Sequence, residues 1–559
     1  MKLCSLLLVL ALVLHPSIAA AWGNVFNGTP IGTGTNNQVN AVAVPDGAGG
    51  AIIAWADNRV NTYDIYAQRV NAWGQALWTA NGVPVRVATS QQTNPTIASD
   101  GAGGAIIFYE HLANNGSTNI EAMHIDATGA QVWLTPTLIC SAQNDQSSPR
   151  AVPDGAGGAI AVWQDNRPGS TSVADVFAQR VNGSGVVQWA NDGVAVCTAA
   201  NKQVNARITG DGSGGAIFAW TDMRDNSTYA VYAQRINSAG AQQWTADGVL
   251  AGSDIGAENT AALTSDNAGG AIVAWHSDTD GDNDIYAQRI NNGVIQWNIG
   301  GVSVCAAIER QSYPQITADG SGGAIVAWED LRSTVSFIDE DIYAQRINSS
   351  GASLWTPNGN LVCAETAQSL QPQIISDGAS GAVIVWTDTR FMDYNLYAQR
   401  VNAAGTRLWA SAGAILILAA SGQTGPSPVT DGAGGVIAAW NDTRSGNFDV
   451  YANRITGGGI IPTAVGDTPA VARASLGQNH PNPFNPSTTI EYTLTARTPV
   501  KIEIFDAKGA RVASLDEGMR EPGTHRALWN ASPSVSSGVY FYRLAGAPAS
   551  ESRKMVLIK

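Results

Sequence analysis

The chain has 559 residues, 44% of them hydrophobic, and a net charge of −14. That length accommodates two or more domains with a large core. From residue 470 on there are eleven Lys and Arg against seven Asp and Glu, leaving −18 for the remainder, where Lys2 and Lys202 are the only lysines. A body this acidic argues against nucleic acid and anionic membranes as partners, because phosphate binding rests on clustered Lys and Arg.

The first 21 residues combine Met1-Lys2, an apolar run from Leu6 to Leu14, and Ala19-Ala20-Ala21. This three-part pattern predicts a secretory signal peptide over 1–21, removed after export. The run is too short for a membrane span, which needs about 20 apolar residues, and no later segment reaches that length. A soluble exported product is therefore expected, with no transmembrane segment in the mature form.

Residues 22–455 are built from one repeat. Fifteen of the 17 tryptophans fall at two of its positions. One series is Trp55, Trp163, Trp220, Trp275, Trp328, Trp386 and Trp440, with Tyr109 in the remaining slot. The other is Trp22, Trp78, Trp133, Trp189, Trp244, Trp297, Trp355 and Trp409. Eight hairpins start at Asp46, Asp100, Asp154, Asp211, Asp266, Asp319, Asp377 and Asp431, spaced 53 to 58 residues apart. A fixed period of this size marks a repeat architecture. In the unit from Pro314, strands are expected at Pro314–Ala318, Ala324–Trp328, Asp341–Ile347 and Ala352–Trp355, separated by Gly- and Asn-containing turns. Four short strands per unit and no helical periodicity predict an all-β fold, a propeller of four-stranded blades.

The ends of the repeat region argue for closure. The last unit runs from Asp431 to Ile455 and has no fourth-strand Trp, whereas Trp22–Ile31 resembles the segment from Trp78 to Val85. The expected fold is an eight-bladed β-propeller whose N-terminal strand completes the last blade, removing a sheet edge. The recurrent Trp-x-Asp-x-Arg and Asp-Ile-Tyr-Ala-Gln-Arg elements read as structural ion pairs, since one active site has no need of a copy in nearly every blade. Cys140, Cys197, Cys305 and Cys363 occupy equivalent places one unit apart, too distant for disulfides, and are expected to be buried thiols.

Candidate chemistry is sparse. Asp278, Asp280 and Asp282 alternate in one loop, as calcium ligands do, although Gly281 and Arg289 depart from the EF-hand pattern. Calcium here competes with a plain solvated acidic loop, and no other cofactor is expected. The unit holding His111 and His124 departs most from the consensus, and either drift or a binding spot would explain it. The repeats resemble those of bacterial β-propeller repeat proteins with Asp-Ile-Tyr strands, too loosely to carry a function.

A Gly-, Pro- and Ala-containing linker (456–475) precedes a different sequence. It opens Asn479-His-Pro-Asn482-Pro483-Phe484-Asn485-Pro486, continues through Ser537-Gly538-Val-Tyr540-Phe-Tyr, and closes Lys554-Met-Val-Leu-Ile-Lys559. Short alternating strands predict a small β-sandwich over 476–559. This stretch closely resembles the type A sorting domain of the type IX secretion system, related to immunoglobulin-like domains of the FlgD type. The resemblance implies a Gram-negative host, passage through the periplasm, the type IX machinery as partner, and a secreted or cell-surface destination. It also implies that Asn482, Pro483, Phe484, Asn485, Pro486, Gly538, Tyr540, Lys554 and Lys559 carry the secretion motif. For the repeat region, a non-catalytic module binding an extracellular glycan or protein is expected. The rivals are an exported glycan-active hydrolase or lyase with carboxylates at the channel mouth, and a structural envelope protein.

Overall fold

The structure, a computed structural model, describes residues 22–170, 173–253, 261–278, 282–332, 340–363, 367–391, 393–462, 475–494, 498–506, 510–520, 523–545 and 552–559. The expected signal peptide, Asp280 and most of the linker lie outside these residues. Every described element is a strand or turn, and the chain divides into two compact units, Met1–Ala464 and Val465–Lys559.

The first unit is propeller-like. Among the described residues it contains eight antiparallel sheets, seven of four strands and one of five. The unit around Asp319 is typical. Gln311–Ala318, Ala324–Asp330, Asp341–Ile347 and Asn360–Cys363 pair in chain order. The second strand is buried along its whole length, as its apolar run Ala324–Trp328 requires, with the carboxylates of Glu329 and Asp330 buried at its end. Its hairpin is locked by Asp319, whose Oδ1 accepts from the backbone N–H groups of Ser321 and Gly323. Gly323 is obligatory, because a Cβ there would lie 2.1 Å from the Ile347 carbonyl oxygen.

The fourth strand differs from expectation. It is the Leu-Val-Cys run at Asn360–Cys363, and Ala352–Trp355 forms only an isolated bridge at Ser353. The Trp precedes the edge strand because its indole is used sideways, against the next sheet. The same correction applies at the N-terminus, where the strand is Thr29–Gly32 and Trp22 stands ahead of it.

Thr29–Gly32 pairs antiparallel with Asp449–Ile455, with Thr29 opposite Ala452 and Pro30 opposite Tyr451. Asn360 opposite Ala344 and Leu361 opposite Tyr343 repeat this register in the Asp319 unit. The first strands of consecutive sheets adjoin one another in sequence, and Gln423–Thr430 of the last sheet adjoins Gln38–Pro45 of the first. One buried cluster joins these two end sheets, with Trp22, Ile31, Trp55, Val429 and Ile437 among its members.

Neighbouring sheets are joined by a three-part contact. The hairpin Asp receives a third-strand Arg, as in Arg346–Asp319 at 2.8 Å. The same Arg reaches a turn carbonyl of the next sheet, which also accepts from the indole Nε1 of the closing Trp. Ala403 O takes Arg346 Nη1 and Trp355 Nε1 at 3.1 and 3.0 Å. Ala72 O takes Arg454 Nη1 and Trp22 Nε1 at 2.7 and 2.9 Å, so the junction of last and first sheets has the chemistry of the others. In the second repeat, around Asp100, His124 replaces the arginine, its Nε2 on Asp100 and its Nδ1 on Gly183 O. The divergence of that unit is thus partly a conservative exchange of donors.

One junction lacks its acceptor. Where five other repeats turn through Asn-x-x-Gly, one through Asp126-x-x-Gly and one through Thr456-x-x-Gly, residues 291–294 read Asn-Asn-Gly-Val, one residue shorter. Asn292 and Gly293 both have positive φ, giving a two-residue turn. The carbonyl that would meet Trp244 is gone, and Trp244 Nε1 is buried without a partner among the described residues. Replacing Asn292 by Ser-Ser, which copies 348–351, is expected to restore it. An unsatisfied buried donor costs about 1–3 kcal/mol, so thermal melts of this variant are expected to rise above the parent's.

The second unit has a three-stranded sheet (Ser475–Leu476, Ser487–Leu494, Gly523–Asn530) and a four-stranded one (Arg511–Arg520, Thr498–Asp506, Gly538–Ala545, Ser552–Leu557). Ile490 and Trp529 from the first share a core with Ile502, Ile504, Tyr542 and Met555 from the second.

Candidate functional site

The Trp-x-Asp-x-Arg element is consumed internally. In the Asp319 unit the fully buried Asp330 accepts from Trp328 Nε1 at 2.7 Å and from Arg332 Nε at 2.8 Å, with Arg332 Nη2 on its second oxygen. Arg332 lies over the Tyr343 ring at 4.0 Å, and that ring stacks on Trp328. Asp57, Asp165, Asp222, Asp388 and Asp442 are paired with Arg in the same way. Both oxygens of the buried Asp330 carboxylate are filled by Trp328 and Arg332, so it offers no free acceptor to a ligand. The four cysteines are buried and unbridged beside these pairs. Burial pushes the Cys140 and Cys305 thiols up to about 12, which leaves them inert.

The middle residue of Trp-x-Asp behaves differently. It reaches the next sheet's first strand, which bulges at a residue of positive φ such as Ser148, Tyr313 or Gln371. Glu110 Oε1 accepts from Ser148 N at 2.7 Å, and Glu329 Oε1 from Gln371 N at 2.6 Å. His276 Nδ1 faces Tyr313 N at 3.4 Å. These contacts tie one sheet to the first strand of the next.

A cavity of about 510 Å³ opens there, lined by Arg310, Tyr313, Gln315, Glu329, Glu340 and the 368–373 segment, and reaching Gly425 and Pro426 of the following sheet. Arg310 pairs with Glu340 at 2.6 Å. Burial pushes the Glu329 carboxyl up from 4.5 to about 7, with the nearby Glu340 adding to the rise and the Gln371 N–H opposing it. A folded-state value above the unfolded one means that Glu329 detracts from stability as pH rises through 4.5 to 7, with the full cost above 7. Glu329→Gln keeps the acceptor and removes the charge. Its melts are expected to match the parent's below pH 4 and to exceed them increasingly up to about pH 7, by as much as ~3 kcal/mol.

The acidic loop presents less. Asp278 and Asp282 are both exposed, Asp280 lies outside the described residues, and no group of three metal-ligating side chains occurs among the described residues. Asp284 is instead buried on its strand opposite Ser277. Glu329, Glu340 and Arg310 sit at positions that vary from repeat to repeat, so the pattern of the repeat does not single them out.

In the second unit the two ends of the expected secretion motif meet. Phe484 is buried against Trp529, with ring centroids 5.4 Å apart. Its backbone N–H donates to Val556 O, and its carbonyl accepts from Ile558 N, both at 3.0 Å. Asn482 Oδ1 accepts from Val556 N, and Asn482 Nδ2 donates to Lys554 O. Pro486 O accepts from Ala531 N. Gly538 opens the strand beside Leu557, and Tyr540 packs edge-on to Trp529 with its hydroxyl on Ser536 O. Lys559 Nζ donates to the carbonyls of Ser532 and Pro533. Pro483 and Asn485 lie in the same loop, and Asn485 lines a shallow cavity with Lys559. Residues 479–559 match the family described as the secretion system C-terminal sorting domain. This match to the type IX sorting tail supports export to the cell surface or medium. In this chain the loop around Asn482 and Phe484 is thus sealed by the terminal strand.

No curated protein matches the chain. Among solved structures, it is similar to a polysaccharide lyase, a PL25 ulvan lyase bound to -[GlcA(1-4)Rha3S]-. The identity is 13% and the TM-score 0.41, over 67% of this chain and 96% of that one. It is also similar to the alpha-L-arabinanase of Penicillium chrysogenum complexed with arabinobiose, at 10% identity and TM-score 0.34, over 55% and 92%. Likenesses of this size carry no activity across to this chain. Among the described residues no helix is long and apolar enough to cross a membrane.

Proposed function

We propose that the chain is type IX secretion cargo whose residues 22–455 form a closed eight-bladed β-propeller that binds an extracellular glycan or protein without catalysis. In this reading 1–21 are the signal peptide, 456–475 the linker, and 476–559 an immunoglobulin-like sorting domain docking on the type IX machinery. The observation that carries the binding reading is the cavity at Tyr313, Gln315, Gln371 and Gln373, where amide and phenol groups surround an opening at the channel mouth. Few, well-placed polar groups in a concavity suit a hydroxyl-rich ligand. Glu329 is tied to a bulge N–H just as Glu110 is, and Glu340 is tied to Arg310, which supports a positioning role for both carboxylates.

The enzymatic reading draws on one specific observation: a carboxyl held near 7 beside a second carboxylate suits a general acid. Screening the purified full chain on glycan and surface-protein arrays, alongside turnover assays on the same polysaccharides, separates the two. Binding that survives Glu329→Gln, with no product formed, supports the module. Turnover abolished by Glu329→Gln establishes the hydrolase or lyase instead, and silence in both assays leaves the structural envelope role. Calcium at Asp278, Asp280 and Asp282 is tested by melts with calcium and with chelator, where equal values reject it.

A further inference from the structure

The arginines of the first unit are almost all committed. The repeat slots hold carboxylates, Arg86 faces Glu121, and Arg310 holds Glu340. Arg150 and Arg207 differ, since neither makes an ion pair or hydrogen bond among the described residues. They occupy the same register position on the first strands of consecutive sheets, Arg150 opposite Val162 and Arg207 opposite Ala219. Elsewhere this position holds neutral residues, Val42, Thr96, Ala262, Gln315, Gln373 and Ser427. These strands adjoin each other in the inner circle.

Arg150 is exposed to solvent and Arg207 is half-buried. Arg150 lines a cavity of about 350 Å³ with Asn40, Asn94, Ser148 and Asn441, and no carboxylate is among its lining residues. The nearby Glu110 is turned away into the bulge, accepting from Ser148 N and Asn94 Nδ2. Burial and the Arg150 charge together push Arg207 down to about 10. Two like charges on adjoining strands without a counter-ion oppose folding. In a region carrying −18 overall, acidic side chains were abundant, yet none is placed against them.

We propose that Arg150 and Arg207 form an anion clamp in the channel that takes an oxyanion, a sulfate or carboxylate group. A guanidinium pair matches the spread oxygens of such a group. The clamp is separate from the Glu329 cavity and does not depend on what binds there. The oxyanion could be a free ion or an acidic group on a sugar chain, and the experiment distinguishes these.

The test uses the full chain and the double variant Arg150→Gln/Arg207→Gln, by thermal melts and calorimetric titration. The probes are sodium sulfate against sodium chloride at matched ionic strength, and trigalacturonate against maltotriose. Sulfate is expected to raise the parent's melting temperature and to bind at least tenfold more tightly than to the double variant. Without sulfate the double variant is expected to melt at or above the parent, because a repulsion has been removed. Sulfate and trigalacturonate both binding assigns an acidic sugar, and sulfate alone assigns a free ion. Equal sulfate effects on both proteins, no effect on either, or a double variant less stable in chloride would overturn the clamp.

Discussion

Deleting residues 22–32 is expected to destabilise the repeat unit far more than its eleven residues suggest. Trp22 is 1% exposed and Ile31 2%. A buried Trp hides about 150–250 Å², worth roughly 4–6 kcal/mol at ~25 cal/mol/Å². The deletion also strands Arg454 with half of its junction and uncovers the edge of Asp449–Ile455. At an unfolding entropy of about 2.1 cal/mol/K per residue over some 440 residues, that Trp alone corresponds to a drop of about 5 °C. The bare edge strand is expected to add aggregation. Trp22→Ala should reproduce most of the thermal loss. Phe26→Ala, at a 61% exposed position in the same segment, should leave the melt unchanged. Differential scanning calorimetry of the three variants decides the matter, and a deletion as stable as the parent would reject closure by this strand.

Deleting residues 479–559 is expected to abolish export while leaving the repeat unit intact. The repeat unit has its own buried clusters between sheets, and the sorting domain has a separate core. The truncated protein should accumulate in the periplasm, with at least a tenfold drop in the extracellular and surface fractions by immunoblot. Its far-ultraviolet spectrum and melt should match those of the repeat unit in the full chain. Normal export of the truncated protein would show that another segment carries the address.

The architecture was legible because it is written many times. Hairpin aspartates, paired tryptophans and Asp–Arg couples each recur, and every recurrence reports the same local physics. The location of the fourth strand was not legible. Trp355 is the most conspicuous apolar mark in its stretch, but its ring spans sheets while the modest Leu361-Val-Cys363 run makes the ladder. The candidate site was harder still. Glu329, Glu340, Arg150 and Arg207 each appear in one or two units, so against the repeat they read as noise. Only the folded chain gathers Glu329 and Glu340 at one cavity and sets Arg150 and Arg207 on adjoining strands. His124 was visible as an exception but not as a stand-in for arginine, because its equivalence lies in two acceptors on different segments. The acidic Asp278–Asp282 loop drew attention through spacing alone, and spacing does not say which way side chains converge.

The pairing of Thr29–Gly32 with Asp449–Ile455 also sets a clock. The first piece of the repeat unit to leave the ribosome is the last to find its partner, some 420 residues later. At about 5–20 residues per second, that wait lasts roughly 20 to 90 seconds, during which the last sheet cannot be finished. Contacts this distant in sequence also form slowly once both ends exist. A chain threaded outward from its N-terminus would therefore carry an unfinished last sheet until nearly all of the repeat unit had crossed.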